Sequence, residues 1–266
     1  MTLRADDRAV VLDIGSLALV SVGICLYAQS WPVMTVWVLA VMGIRMLLWA
    51  RLPREQRTFS VGAELGFLFL CALIGGFNDW NTVVHHRVYS YSVPADLPAI
   101  STIPTWMLLY WGLILRTIAT LGHWTRLGLP AKQTGLRSWG ARRFGGRGAR
   151  VVVLLLLTLT TRQTIYRLYL DPIWSWAPFA IAIVLYVWFL APSRGELLLA
   201  LLFLTLGPLV EGLYISVAHL HDYALGWILG VPLWIQLWWA LAALVWAEIS
   251  SLILGRLGRP TVVHAS

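Results

Sequence analysis

The chain has 266 residues, of which 59% are hydrophobic and only 12% are charged, too few charges for the surface of an ordinary soluble domain. That balance excludes a water-soluble globular protein and indicates a polytopic all-α membrane protein: the apolar runs can cross about 30 Å of hydrocarbon as helices, and none alternates as barrel strands do. The formal charge of +8 is concentrated between spans, where it serves as a topological signal beside anionic lipid, so no nucleic-acid partner is expected.

Eight spans are predicted, roughly over 9–29, 32–50, 60–78, 102–121, 149–169, 173–191, 195–219 and 226–254, with seven as the alternative count. The first carries Asp13 near its start and lacks a small-residue cleavage site, so it reads as a retained helix and not a signal peptide. Spans one and two meet near Ser30-Trp31-Pro32, and spans five and six near Asp171-Pro172, because proline cannot continue a preceding helix. Cys25 and Cys71 fall inside spans without paired spacing and read as packing residues.

Between spans three and four lies the longest outer segment, 78–101, with Trp80, Tyr89 and Tyr91 suited to a membrane interface. A basic segment, 122–149, then divides the chain into a first four-helix half, 1–121, and a second, 150–266. Most Arg and Lys residues fall on the side of that loop. The positive-inside tendency therefore predicts the cytoplasmic (inner) membrane, a multi-pass topology and both termini in the cytoplasm.

One short pattern occurs twice at the same spacing: Pro104, Trp106, Leu109 and Trp111, then Pro232, Trp234, Leu237 and Trp239. Because each half holds four spans, an even number, the second enters the bilayer in the same sense as the first, and the expectation is a parallel repeat. Proline at a helix entry and tryptophan at an interface account for the motif without chemistry.

Upstream of each copy lie polar residues that are costly in a bilayer: Glu64, Asp79, His85, His86, Tyr89 and Tyr91, then Glu211, His219, His221, Asp222 and Tyr223. Desolvation raises the pKa of a buried carboxyl group, which suits it to general acid work. Helical spacing would set Glu211 and Asp222 on nearly one face with His219 beside them, and Asp79 with His86 if the third span continues that far. Glu211 is therefore the first candidate acid, Asp79 or Glu64 the second carboxylate, and His86 or His219 the proton partner. Tyr89, Tyr91, Trp106, Trp111, Tyr223, Trp234 and Trp239 are candidate substrate-binding residues, since aromatic faces stabilise positive charge. Asp13, Arg45, Arg116 and Glu248 read as interhelical salt bridges. Metal ligand types are present, but there is no HExxH, and adjacent His85 and His86 point about 100° apart on a helix. Neither a metal nor another cofactor is expected.

An acid in a span, an outer Tyr-x-Tyr and a following Pro-x-Trp helix resemble the membrane-integral carotenoid hydratases of the bisanhydrobacterioruberin hydratase family. Glu64, Tyr89, Tyr91, Pro104 and Trp111 carry the likeness, repeated by Glu211, Tyr223, Pro232 and Trp239. The pair Glu64 and Glu211 is also similar to the acids of small membrane-bound terpene cyclases. Both resemblances imply acid-catalysed hydration or cyclisation of an isoprenoid or carotenoid, a lyase or isomerase chemistry whose partner is a membrane lipid or isoprenoid. A noncatalytic membrane subunit or lipid- and pigment-binding scaffold is the alternative, and a proton-coupled transporter a further one. The sequence leaves the oligomeric state open.

Overall fold

The computed structural model describes residues 4–54, 57, 59–127, 147–190 and 192–257. Most of the basic 122–149 segment lies outside these residues. The fold is all-α, with eight long helices among the described residues: α1 Ala5–Tyr27, α2 Trp31–Arg51, α3 Val61–Trp80, α4 Thr105–Gly122, α5 Arg147–Leu168, α6 Ala177–Leu190, α7 Arg194–Ser216 and α8 Leu233–Leu257. Six contain stretches long and apolar enough to cross a membrane, the exceptions being α4 and the shorter α6. Large apolar side chains such as Val36, Phe69 and Val184 stand on the outer surface, as expected of helices facing lipid.

Local chemistry sets the helix starts. Ser60 caps α3 by accepting from the Ala63 N–H. Ser193 and Glu196 form a reciprocal capping box at α7, satisfying backbone donors that a helix leaves free. Pro32 occupies the first turn of α2, and Pro104 is the N-cap of α4. The eighth helix starts at Leu233, later than the expected 226–254 span. The preceding residues form a tight turn, with an Ile228–Val231 bridge and positive φ at Leu229 and Gly230.

Helix α4 has fourteen of its eighteen residues buried, and it packs on α1, α2, α3 and α8. A helix apolar on all sides belongs at the centre of a bundle. Across the α4–α8 seam, the Trp246 indole N–H donates to the Leu115 carbonyl at 2.7 Å, and Trp246 stacks on Phe67 of α3. Helix α8 in turn packs on α5, α6 and α7.

Buried ion pairs staple the helices. Asp13 of α1, Arg45 of α2, Glu64 of α3 and Arg116 of α4 form one network: Arg45 reaches Asp13 at 2.6 Å and Glu64 at 2.5 Å, and Arg116 reaches Glu64 at 2.8 Å. Two cations and two carboxylates balance, with Thr120 closing hydrogen bonds to both Asp13 and Arg116. Arg150 of α5 and Glu248 of α8 make a second, bidentate pair at 2.8 and 2.9 Å.

This corrects the expectation for Glu64 as a second catalytic carboxylate. Glu64 and Asp79 stand in the first and last turns of the same helix, so at about 1.5 Å per residue they are roughly 22 Å apart along it. The expected helical alignment of Glu211, His219 and Asp222 also fails, because α7 ends at Ser216. His219 has a positive φ of 48°, which reverses the chain, and Asp222 lies on an extended strand.

Candidate functional site

A pair of three-residue strands joins the connection between α3 and α4 to that between α7 and α8. β1, Tyr89–Tyr91, runs antiparallel to β2, His221–Tyr223, with Tyr89 opposite Tyr223, Ser90 opposite Asp222 and Tyr91 opposite His221. Ser92 ties the pair further: its N–H donates to the Leu220 carbonyl and its hydroxyl to Asp222 at 2.7 Å. Strand geometry puts both members of each Tyr-x-Tyr or His-x-Tyr triplet on one face, and that face is turned toward the C-terminal ends of α3 and α7.

Each of those helix ends presents a carboxyl group. Asp79, fully buried, accepts hydrogen bonds from the Tyr89 hydroxyl and, at 2.7 Å, from Tyr91. Glu211 accepts from the Tyr223 hydroxyl and, at 2.6 Å, from the Trp239 indole N–H, with His221 Nε2 at 3.3 Å from the same oxygen that Tyr223 reaches. In both clusters the strand partners follow the acid by ten and twelve positions.

Glycines bring the tryptophans close. A Cβ on Gly75 would fall 2.6 Å from the Trp111 Cβ, and one on Gly207 would fall 2.6 Å from the Trp239 Cγ. Trp111 stands beside Asp79 as Trp239 stands beside Glu211. Trp111 differs in that its buried indole N–H has no hydrogen-bond partner among the described residues, and His221 Nδ1 is likewise buried and unpaired.

The two clusters touch through aromatic rings. Tyr89 lies 5.1 Å from Tyr223 and 5.3 Å from His221 between ring centroids, and Trp111 stacks on Trp239 at 6.2 Å. Burial, reinforced by the adjoining Asp79 carboxyl, raises the pKa of Tyr89 and Tyr91 well above the usual phenol value. Burial and Glu211 do the same for Tyr223. All three hydroxyls therefore keep their protons and act as donors to the acids.

Below the strands is a cavity of about 250 Å³ with a largely apolar wall. Glu211, His221, Tyr223, Tyr89 and Tyr91 form its polar end, while Trp111, Trp234, Trp238, Trp239, Phe203 and Leu206 contribute apolar surface. Glu211 thus reaches the cavity directly, and Asp79 stands behind Tyr89 and Tyr91. Another part of the wall carries three mutually bonded hydroxyls, Ser21, Tyr110 and Tyr214, of which the tyrosines line the cavity.

Of the sequence-derived candidates, the structure brings together Asp79, Glu211, Tyr89, Tyr91, Tyr223, Trp111, Trp234 and Trp239. It leaves out four others. Glu64 belongs to the ion network, and Trp106 is fully buried in the core away from the cavity lining. His86 stacks on Tyr166 at 3.6 Å, because α3 gives way to a π-turn over Asn81–His85 and the chain then leaves the Asp79 face. His219 is exposed on the turn after α7. His221, Arg162 and Tyr166 are among the cavity residues missed as site candidates. The shared ten-and-twelve spacing after each acid was the available signal for His221. Among the described residues no group of three His, Cys, Asp or Glu side chains is arranged to hold a metal ion.

Comparison with protein-family models, with curated proteins and with solved structures finds no match to the chain.

Proposed function

We propose that the protein is a membrane-embedded enzyme that protonates a double bond of an apolar lipid, most simply an isoprenoid or carotenoid, leading to hydration or cyclisation. The observation that carries this reading is Glu211. It is a carboxyl group at the wall of an apolar, tryptophan-rich cavity, held in orientation by Tyr223, His221 and Trp239.

In this mechanism the Glu211 proton adds to one carbon of the double bond, whose π electrons form the new C–H bond and leave a cation on the neighbouring carbon. The faces of Trp111, Trp234 and Trp239 stabilise that cation. Water then forms a C–O bond and returns a proton to the Glu211 carboxylate, with His221 as the relay. Alternatively a second double bond closes a ring and an adjacent C–H gives the proton back. Asp79 is a positioning residue, acting through Tyr89 and Tyr91 on the strand that carries the relay.

The equal spacing of Asp79, Tyr89 and Tyr91 with Glu211, His221 and Tyr223, together with the twin Gly–Trp contacts, supports descent from two parallel four-helix repeats. The distribution of basic residues supports a cytoplasmic-membrane location, with both termini inside and the acid cluster at the outer side.

The test incubates purified protein with squalene, lycopene, farnesol and farnesyl phosphate and analyses products by mass spectrometry. The reading predicts a hydrated or isomeric product from at least one of them and its loss in Glu211→Gln. Consumption of none, or full turnover by Glu211→Gln, overturns it. Binding without turnover in the wild type would favour a lipid-binding scaffold.

A further inference from the structure

The cavity wall also contains a charge that the acid chemistry does not use. Arg162, on α5, lines the cavity, and its guanidinium is engaged only by neutral acceptors. Nε donates to the Tyr166 hydroxyl at 2.7 Å; Nη2 donates to Thr82 Oγ1 at 2.5 Å, to the Asn78 carbonyl at 3.3 Å and to Tyr166; Nη1 donates to Asn78 Oδ1. Among the described residues no carboxylate lies within ion-pair distance of it, whereas the buried Arg45 and Arg116 and the half-buried Arg150, which like Arg162 is only partly covered, are all paired with acids. Hydrogen bonds alone could hold α5 against the end of α3, and a neutral donor would serve. A full positive charge in a membrane span is costly unless an anion offsets it.

Tyr166 supplies a second and independent indication. Its hydroxyl oxygen receives N–H donors from both Arg162 and Asn81, the latter at 2.8 Å. With its lone pairs occupied in this way, the oxygen must direct its own hydrogen elsewhere, and no acceptor for it is present among the described hydrogen bonds. Tyr166 also lines the cavity. A guanidinium and a phenolic O–H therefore converge on one part of a pocket whose wall is largely apolar, while His86 stacks on the Tyr166 ring and fixes its plane.

The geometry points to Arg162 and Tyr166 as the binding site for the anionic head group of an amphiphilic lipid, a phosphate or carboxylate whose apolar chain fills the cavity toward Glu211. This rests on reading the cavity as a lipid site and narrows its occupant from any isoprenoid to one with an acidic terminus. Guanidinium groups suit such anions because they offer paired donors together with charge.

The test is binding, independent of turnover. Purified protein in an uncharged detergent is titrated with farnesyl phosphate, with farnesol and with inorganic phosphate, and tryptophan fluorescence is followed. Wild type is expected to bind farnesyl phosphate roughly tenfold or more tighter than farnesol, the scale of a charge-assisted contact. Arg162→Gln should reduce that preference to near unity while farnesol binding persists, and Arg162→Lys should keep part of it. Equal wild-type affinity for the phosphate and the alcohol overturns the proposal without requiring any variant to fold. So does an undiminished preference in Arg162→Gln. Competition by inorganic phosphate at the same concentration as farnesyl phosphate would identify a free-anion site and overturn the lipid assignment. Loss of turnover with this preference intact would count against the acid chemistry alone.

Discussion

Replacing Gly207 with alanine probes how tightly the acid cluster is held. The added Cβ would lie 2.6, 2.8 and 3.0 Å from Cγ, Cδ2 and Cδ1 of Trp239, against an ordinary carbon contact of about 3.5–4 Å. The indole must retreat by roughly 1 Å, and its N–H, now 2.6 Å from Glu211 Oε2, moves to or beyond the limit of a hydrogen bond. Overpacking costs about 1–3 kcal/mol and the weakened hydrogen bond about 1 kcal/mol more. A total of about 2–4 kcal/mol corresponds to a fall of roughly 4–16 °C in thermal midpoint for a chain of this size. The assay is thermal unfolding of purified protein in detergent, with tryptophan emission as a local report. Gly66→Ala, whose Cβ meets nothing within 4 Å, is the control and should be neutral or slightly stabilising. A Gly207→Ala protein as stable as that control, with unchanged emission, would refute the close packing of Trp239 over the acid.

Other outcomes follow from the same geometry. Glu64→Gln should cost about 3–5 kcal/mol by leaving Arg45 and Arg116 short of a carboxylate, visible as a lower unfolding midpoint, with isoprenoid turnover retained in whatever protein remains folded. Tyr223→Phe removes a donor to Glu211 and should slow turnover roughly ten- to a hundredfold, for a bond to an acid worth about 1.5–3 kcal/mol, with little change in fold by circular dichroism. The raised pKa values of Tyr89, Tyr91 and Tyr223 set a sign for alkaline stability. Above about pH 10 the unfolded tyrosines lose protons that the folded ones keep, so their contribution is complete below that pH and declines above it. Ultraviolet titration should show these three phenols ionising only as the protein unfolds.

The helices were legible because length and apolarity fix them, and the interhelical role of Asp13, Arg45, Arg116 and Glu248 followed from the cost of unpaired charge in hydrocarbon. Glu64 was assigned to the wrong cluster because its acidic type was read without its position, one helix length from Asp79. The end of α7 at Ser216 was hidden: no proline or glycine interrupts the run from Ile215 to His221, and the stop comes from His219 turning the chain so that β2 can pair with β1. Such pairing is set by a partner far away in sequence. The same long-range contact makes His221, and not His219, the residue at the acid. The glycines opposite Trp111 and Trp239 acquire meaning only once the helices are packed.

The central claim is that a proton passes from Glu211 to a carbon of the lipid. The most direct measurement is turnover in heavy water, with the product's carbon-bound deuterium read by mass spectrometry and NMR. The account predicts one deuterium on carbon per product molecule when water captures the cation, the same on cyclisation once the proton returned to Glu211 has exchanged with heavy water, and no labelled product from Glu211→Gln. Product free of carbon-bound deuterium, or labelled equally by Glu211→Gln, would contradict it.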